Sequence, residues 1–313
     1  MIVNADALKL PIADKVVQCC ITSPPYYGLR DYGVTGQLGL EPTPEEYVAN
    51  LVSVFREVWR AMKDDGTLWV NLGDSYASGG SGGYSDKSTL SGFTSQTTKG
   101  RIMNATSVQR KATDGMKHKD LIGIPWMVAF ALRADGWYLR SDIIWSKPNP
   151  MPESVTDRPT KAHEYLFLLT KNAKYYYDNE AIKEDAIFAE EKRAGLGRLH
   201  YRGKREGQEG TGQENFVSIV DKRNRRTVWE IATQPTSYAH FATFPEKLVE
   251  PCILAGSRPG DLILDPFSGS GTTGRVAIRH NRRYIGTELN YQYIAEIAPK
   301  RLTVQPMLAV NHA

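Results

Sequence analysis

Residues 262–274 read LILDPFSGSGTTG, an apolar run followed by a turn that contains three glycines. The apolar residues predict a buried strand over 262–267, and a helix is predicted to begin near Thr272. The glycines let the backbone turn sharply and let a ligand approach it closely, and the first N–H groups of the helix are free to bind one. A strand, a turn and a helix in this order are typical of an α/β domain with a parallel sheet.

The glycine-rich turn (residues 265–274) has the spacing of a nucleotide-binding turn. Gly269, Gly271 and Gly274 match the pattern G-x-G-x-x-G, and Glu288 lies at the end of the next predicted strand. A carboxylate in that place can accept hydrogen bonds from ribose hydroxyls. The turn alone is compatible with NAD, FAD or S-adenosylmethionine, and also with a purely structural role. No lysine follows the glycines as a P-loop requires, so a nucleoside triphosphate is disfavoured.

A second turn, Ser-Pro-Pro-Tyr (residues 23–26), ends the strand that is predicted over 16–22. Neither proline can donate a backbone N–H to a sheet, so the strand has to stop there. By itself such a turn is only a strand terminator.

Apolar periodicity and capping residues predict the other elements of the chain. Thr43 is suited to cap a helix that begins at Pro44, with Glu46 completing a capping box and Gly66 ending the helix. Further helices are predicted over 124–134, 245–255 and 272–280, and further strands over 67–72, 137–145, 164–170 and 283–289. The alternation predicts an α/β fold with a mainly parallel, doubly wound sheet.

Two segments depart from this pattern. Residues 78–116 are rich in Gly, Ser, Thr and Lys and predict a mobile loop, whereas residues 190–226 carry ten basic against six acidic side chains. The excess of +4 in the second segment equals the net charge of the whole chain. We therefore predict a first half-domain over 1–178, an inserted region over 179–232, and a second half of the same domain over 233–313.

The composition excludes several classes of protein. The three cysteines have no paired spacing, so neither a disulfide framework nor a zinc site is expected, and no metal is predicted. Cys252 lies in an apolar helical run, which favours a buried thiol over a nucleophile. No apolar run of membrane-spanning length occurs, so no membrane partner is expected and a cytoplasmic location is predicted.

Several motifs in one order resemble those of the amino-methylating DNA methyltransferases in which the catalytic half precedes the cofactor half. The motifs are Ser-Pro-Pro-Tyr, Gly66–Asn71, Ile143–Pro148, His240–Pro245 and Asp-Pro-Phe-x-Gly-x-Gly-Thr from residue 265, so the resemblance spans nearly the whole chain. It implies an S-adenosylmethionine-dependent methyltransferase fold with an inserted target-recognition region. It also implies that the protein acts on duplex DNA by base flipping.

The resemblance further implies a set of cofactor-binding residues. Phe267 to Gly271 would surround the methionine part of S-adenosylmethionine, Glu288 would bind the ribose, and Asp6 would lie near the adenine. Asp6 is equally suited to be a turn aspartate. The full set is Asp6, Asp265, Pro266, Phe267, Ser268, Gly269, Gly271, Thr272 and Glu288.

The Ser-Pro-Pro-Tyr turn would hold the reacting amino group. The lone pair of an exocyclic amino nitrogen is delocalised into the base, so acceptors on both N–H bonds are needed to aim it at the methyl group. The Ser23 hydroxyl and the Pro24 carbonyl are suitable acceptors. Pro25 stiffens the loop, and Tyr26 can stack on the flipped base. Serine in the first position commonly accompanies cytosine in this family, so cytosine N4 is predicted, with adenine N6 as the alternative.

The inserted region is predicted to contact DNA phosphates through its basic residues. The interspersed acidic residues also allow a solvated charged loop. The predicted DNA contacts are Lys147, Lys204, Arg205, Arg223, Arg225 and Arg226. Expected partners are duplex DNA and a separately acting restriction endonuclease, and the chain is expected to be a monomer or a homodimer.

Two other hypotheses remain open from the sequence. An NAD-dependent oxidoreductase would use the three spaced glycines, but it leaves the Ser-Pro-Pro-Tyr turn and the basic insertion unexplained. A catalytically silent DNA-binding protein would bind DNA without affinity for the cofactor.

Overall fold

The computed structural model describes residues 1–77, 106–107, 116–186, 221–233 and 244–297. The chain divides into two compact units, one of Met1–Tyr177 with Thr227–Ala313 and one of Asp178–Arg226. The second unit corresponds to the predicted insertion but ends at Arg226 rather than at residue 232. The reason is that Val228–Glu230 forms a strand of the first unit.

Within the described residues, twelve strands and four α-helices follow one another. The strands are β1 (Ile2–Asn4), β2 (Val17–Thr22), β3 (Arg30–Asp31), β4 (Met62–Leu72), β5 (Thr106–Ser107), β6 (Tyr138–Ser146), β7 (His163–Thr170), β8 (Glu184–Asp185), β9 (Lys222–Arg223), β10 (Val228–Glu230), β11 (Leu262–Asp265) and β12 (Arg283–Glu288). The helices are α1 (Pro44–Ala61), α2 (Ile124–Ala134), α3 (Glu246–Gly256) and α4 (Thr272–Arg279).

Eight of these strands form one sheet in the order β1-β12-β11-β2-β4-β7-β6-β10. Strand β7 runs antiparallel to both of its neighbours, and the other pairs are parallel. All six residues of β2 are buried, as expected of a central strand that is covered on both faces. The prediction of an α/β fold with a mainly parallel sheet is confirmed.

Helix α1 begins as predicted but ends earlier. The Thr43 hydroxyl accepts a hydrogen bond from the backbone N–H of Glu46 at 3.2 Å, which caps the first turn. The helix stops at Ala61 because Met62 already pairs with Val17 in the sheet.

Gly66 therefore does not end the helix, contrary to the prediction; it lies in strand β4. Pairing between β2 and β4 resumes only at Cys19 and Thr67, so the residues between Met62 and Thr67 form an irregularity in the ladder. A Cβ atom at residue 66 would lie 2.9 Å from the carbonyl oxygen of Gln18. Glycine is required there for the close approach of two backbones.

The predicted mobile loop 78–116 lies almost entirely outside the described residues. Two of its three described residues form strand β5, which pairs antiparallel with strand β3. Its last residue, Met116, packs against the hydrophobic core.

All three cysteines are buried thiols. Burial raises the pKa of Cys19 to about 12, so this thiol stays protonated at neutral pH. Cys252 lies in α3, where its Sγ donates to the carbonyl of Leu248 at 3.2 Å, so the predicted burial of this residue is confirmed. Among the helices in the described part of the chain, none combines the length and apolar character needed to cross a membrane.

Candidate functional site

A cavity lies at the carboxyl ends of β1, β2, β11 and β12. Strands β2 and β11 are neighbours, yet the chain runs from β2 outward to β4 and from β11 outward to β12. Crevices for ligands form at such points, where the direction of strand order reverses. The cavity brings together the Ser-Pro-Pro-Tyr turn, part of the glycine-rich turn, Asp6 and Glu288. The two turns that the sequence singled out thus line one common cavity.

The Ser-Pro-Pro-Tyr turn forms one wall of this cavity with all four of its residues. The Tyr47 hydroxyl of α1 donates to the carbonyl of Pro25 at 2.8 Å and so ties the turn to α1. The Tyr26 ring lies so close to Gly73 that a Cβ atom there would be 2.5 Å from its Cε2. These contacts hold the turn in one conformation.

The hydroxyl of Tyr26 is surrounded by polar side chains. It donates to Glu164 Oε2 at 2.6 Å, lies 3.2 Å from Asn71 Oδ1, and accepts from the Ser23 hydroxyl at 3.4 Å. Burial, followed by the nearby Glu164 carboxylate, raises the pKa of Tyr26 well above its usual value. The phenol therefore stays protonated at neutral pH.

Glu164 and Lys147 form an ion pair beside Tyr26 that the sequence did not predict. The Lys147 ammonium contacts Glu164 Oε1, and it lies 4.3 Å from the ring centroid of Trp145. Both partners are mostly buried, with 17% and 15% of their side chains exposed. Lys147 was predicted to contact DNA near the flipped nucleotide, and this stays a prediction.

Glu288, at the end of β12, also lines the cavity. Its two carboxylate oxygens accept from the backbone N–H groups of Gly269 and Asn290, each at 2.8 Å. Burial raises the pKa of Glu288. The carboxylate therefore links the end of β12 to the glycine-rich turn and faces the cavity at the same time.

Asp265 does not line the cavity, although the resemblance implied a binding role. It is 1% exposed and accepts from the hydroxyls of Thr22 and Thr273, each at 2.7 Å, and from the Phe267 N–H at 3.1 Å. Burial raises the pKa of Asp265 to about 6. The carboxylate braces the glycine-rich turn between β2 and α4.

Some of the other predicted cofactor residues line the cavity, and others do not. Asp6 is exposed, accepts from the Leu8 N–H at 2.9 Å as a turn aspartate, and also lines the cavity. Pro266, Phe267 and Gly269 line the cavity as well. The residues outside its lining are Asp265, Ser268, Gly271 and Thr272.

Ser268 and Gly271 have structural contacts instead. The Ser268 hydroxyl shares a 2.7 Å hydrogen bond with the Tyr284 hydroxyl, and the Gly271 N–H donates to the Ser268 carbonyl at 2.8 Å. Gly271 has φ +81°, a left-handed conformation that favours glycine, directly before α4. They shape the turn whose other residues face the cavity.

A loop after the Ser-Pro-Pro-Tyr turn completes the cavity, and no signal in the sequence pointed to it. Its lining residues have no periodicity and no motif, so only the folded chain shows their place. They are Leu29, Tyr32, Val34, Gly36, Gln37 and Leu38, and Tyr293 joins them from the other end of the chain.

The predicted DNA contacts of the inserted region are only partly described. Lys204 and Arg205 lie outside the described residues. In the second unit, Arg223 and Arg226 both contact Glu184 Oε1, at 2.9 Å and 2.7 Å. Arg225 lies between them, just after β9.

Sequence comparison places the chain among known proteins. The sequence model of the DNA methylase family matches residues 17–299. The chain is 49% identical over 286 residues to the type II methyltransferase M.Cfr9I of Citrobacter freundii, in an alignment that covers 91% of this chain and 81% of that protein. It is also 49% identical over 288 residues to M.SmaI of Serratia marcescens, where the alignment covers 92% and 85%.

Solved structures share the fold. The PvuII DNA methyltransferase (cytosine-N4-specific) superposes with a TM-score of 0.63 at 19% identity, over 98% of this chain and 87% of that one. A putative DNA modification methylase from Thermus thermophilus, complexed with S-adenosyl-L-methionine, has a TM-score of 0.57 at 21% identity, over 96% and 92%. At this identity the likeness concerns the fold alone. The family match over most of the sequence goes further, and the chain belongs to the N6/N4 DNA methylase family.

Proposed function

We propose that the chain transfers a methyl group from S-adenosylmethionine to the exocyclic N4 amino group of a cytosine that is flipped out of duplex DNA. One observation carries the proposal: the Ser-Pro-Pro-Tyr turn and the cavity-lining residues Phe267, Gly269 and Glu288 surround the same space. Such a space can hold a methyl donor against an acceptor base. Neither rival hypothesis accounts for this arrangement. Hydride transfer by an oxidoreductase does not require the Ser-Pro-Pro-Tyr turn in the cavity wall. A catalytically silent DNA-binding protein does not require a cofactor cavity.

The cavity suits S-adenosylmethionine. Phe267 and Gly269 would lie along the methionine part, Glu288 can accept from the ribose hydroxyls, and Asp6 would lie near the adenine. When bound, the cofactor supplies an electrophilic methyl group on a sulfonium. The chain's own residues hold it at one end of the space.

The acceptor amino group belongs at the other end. The Ser23 hydroxyl and the Pro24 carbonyl would accept its two N–H groups and direct the nitrogen lone pair toward the methyl group. The Tyr26 ring, which is backed by Gly73, offers a fixed surface on which the flipped base can stack. Arg223, Arg225, Arg226, Lys204 and Arg205 are proposed to contact DNA phosphates.

Cytosine is proposed as the target base because Ser23 occupies the first position of the turn. The PvuII enzyme, whose fold this chain shares, is described as cytosine-N4-specific. Methylated-base analysis and long-read sequencing of DNA from cells that express the chain test this choice. Recovery of N4-methylcytosine at one sequence supports it, and recovery of N6-methyladenine alone would overturn it.

We further propose that the chain is the modification enzyme of a restriction system and acts in the cytoplasm. The relatives M.Cfr9I and M.SmaI are both type II methyltransferases. If the proposal is correct, DNA from expressing cells resists cleavage by a separate endonuclease that recognises the methylated sequence. Unchanged cleavage by every endonuclease with that site would contradict it.

Replacement of Glu288 by glutamine is expected to weaken cofactor binding by about tenfold or more, since hydrogen bonds to a charged group contribute about 1.5–3 kcal/mol. Both carboxylate oxygens accept from backbone N–H groups, so a glutamine amide would direct a donor at a donor. Calorimetric titration with S-adenosylmethionine measures the effect. Glu57→Gln, which changes a carboxylate paired with Arg60 on α1, is the matched control; equal losses in both variants would refute a binding role for Glu288.

A further inference from the structure

Four side chains form a continuous polar chain behind the Ser-Pro-Pro-Tyr turn. The Ser23 hydroxyl lies 3.4 Å from the Tyr26 hydroxyl, which lies 2.6 Å from Glu164 Oε2. The other oxygen of Glu164 contacts the Lys147 ammonium. The chain starts at the proposed acceptor of the amino group and ends at a mostly buried ion pair.

The donor and acceptor in each hydrogen bond of this polar chain follow from the number of hydrogens that its groups carry. Tyr26 has one hydroxyl hydrogen, and two acceptors face it, Glu164 at 2.6 Å and Asn71 Oδ1 at 3.2 Å. The closer acceptor is a carboxylate, and hydrogen bonds to ionised groups are shorter and about twice as strong as neutral ones. The hydrogen therefore points to Glu164, and Tyr26 can only accept from Ser23.

Asn71 reinforces the same direction. Its Nδ2 donates to the Tyr165 carbonyl at 3.1 Å, which turns its oxygen, and not its N–H₂ group, toward Tyr26. Ser23 is thus the donor that faces the Tyr26 oxygen among these groups. Its hydrogen is directed at the Tyr26 oxygen, and its lone pairs remain available to a ligand.

We propose that Glu164, held by Lys147, is a positioning residue. It fixes the direction of the hydrogen bonds in the polar chain, so that Ser23 presents an acceptor to the reacting amino group. The inference rests on the proposed function. An amino group offers two N–H donors, so a Ser23 hydroxyl turned the other way would set donor against donor. The ion pair has a second effect, because it anchors the Tyr26 ring against Gly73 for stacking.

Glu164→Gln tests the proposal, because a glutamine amide can donate to the Tyr26 oxygen. The Tyr26 hydroxyl could then donate to Ser23, which reverses the direction of the hydrogen bonds in the polar chain. We expect the single-turnover methylation rate to fall about tenfold or more, the scale of one misdirected hydrogen bond. The substrate is a duplex that carries the sequence identified by long-read sequencing. The KM for DNA and the calorimetric affinity for S-adenosylmethionine are expected to stay close to those of wild type. Glu57→Gln serves again as the control for loss of a paired carboxylate.

A double-mutant cycle with Tyr26→Phe separates positioning from a general effect on the fold. The phenylalanine variant lacks the hydroxyl through which Glu164 acts, so Glu164→Gln should cause no further loss in that background. The inference would be overturned if the two substitutions lowered the methylation rate by independent factors that multiply in the double variant. An unaltered rate in the single Glu164→Gln variant would overturn it as well. Wild-type protein that binds the cofactor but methylates no DNA would instead overturn the proposed function, and this inference with it.

Discussion

Ser23→Ala is expected to lower the rate of methyl transfer about 100-fold or more, the usual cost of removing one hydrogen-bonding group that acts on the reacting atoms. The variant removes the hydroxyl that lines the cavity and that we propose to accept from the target amino group. Without it, only the Pro24 carbonyl would hold the nitrogen, and its lone pair would stay delocalised into the base. Single-turnover assays with labelled S-adenosylmethionine measure the rate.

The same variant should leave cofactor binding intact. The cofactor is proposed to lie against Phe267 and Glu288, and Ser23 donates only to the Tyr26 hydroxyl among the described residues. Ser53→Ala is the matched control, since Ser53 is exposed on α1 and its hydroxyl bonds the Ala49 carbonyl of its own helix. A Ser23→Ala enzyme with wild-type turnover would remove Ser23 from the proposed chemistry.

The second large effect concerns stability and Asp265. Burial raises the pKa of this carboxyl to about 6, above its ordinary value of 3.8. Between these two values the folded state binds more protons than the unfolded state, so stability falls as the pH rises. The pKa difference corresponds to about 3 kcal/mol, lost between about pH 4 and pH 7.

Asp265→Asn removes this titration while it keeps the size and one acceptor of the side chain. We expect the free energy of unfolding of wild type, relative to the variant, to decline by about 3 kcal/mol from about pH 4 to pH 7. Urea denaturation at a series of pH values measures it. Parallel curves for the two proteins would show that Asp265 titrates alike in the folded and unfolded states.

Much of the fold follows from local sequence signals. Helix α2 spans the predicted residues 124–134, because its apolar periodicity is clear and Gly136, with φ +110°, allows the chain to turn after it. Strands β1 and β10 were not predicted. Each has three residues, too few to show a period, and each forms only because a neighbouring strand edge is available.

The site could be predicted only where the chemistry lies in a motif. The two turns were identified, but the partners of Tyr26 were not, because Glu164 looks like an ordinary strand start. It reaches Tyr26 because β7 pairs antiparallel with β4, a contact between residues 138 positions apart. Asp265 illustrates the opposite case, since its motif suggested a ligand contact but its carboxylate is used within the fold. Packing sets the direction in which a side chain points, so a sequence motif alone does not predict that direction.

The burial of all three thiols has a practical consequence for experiments on this enzyme. Maleimides and other alkylating dyes react with an accessible thiolate, and Cys19, Cys20 and Cys252 offer none in the folded state. A single cysteine introduced at an exposed position such as Ser53 would therefore be labelled selectively, without first removing the native ones.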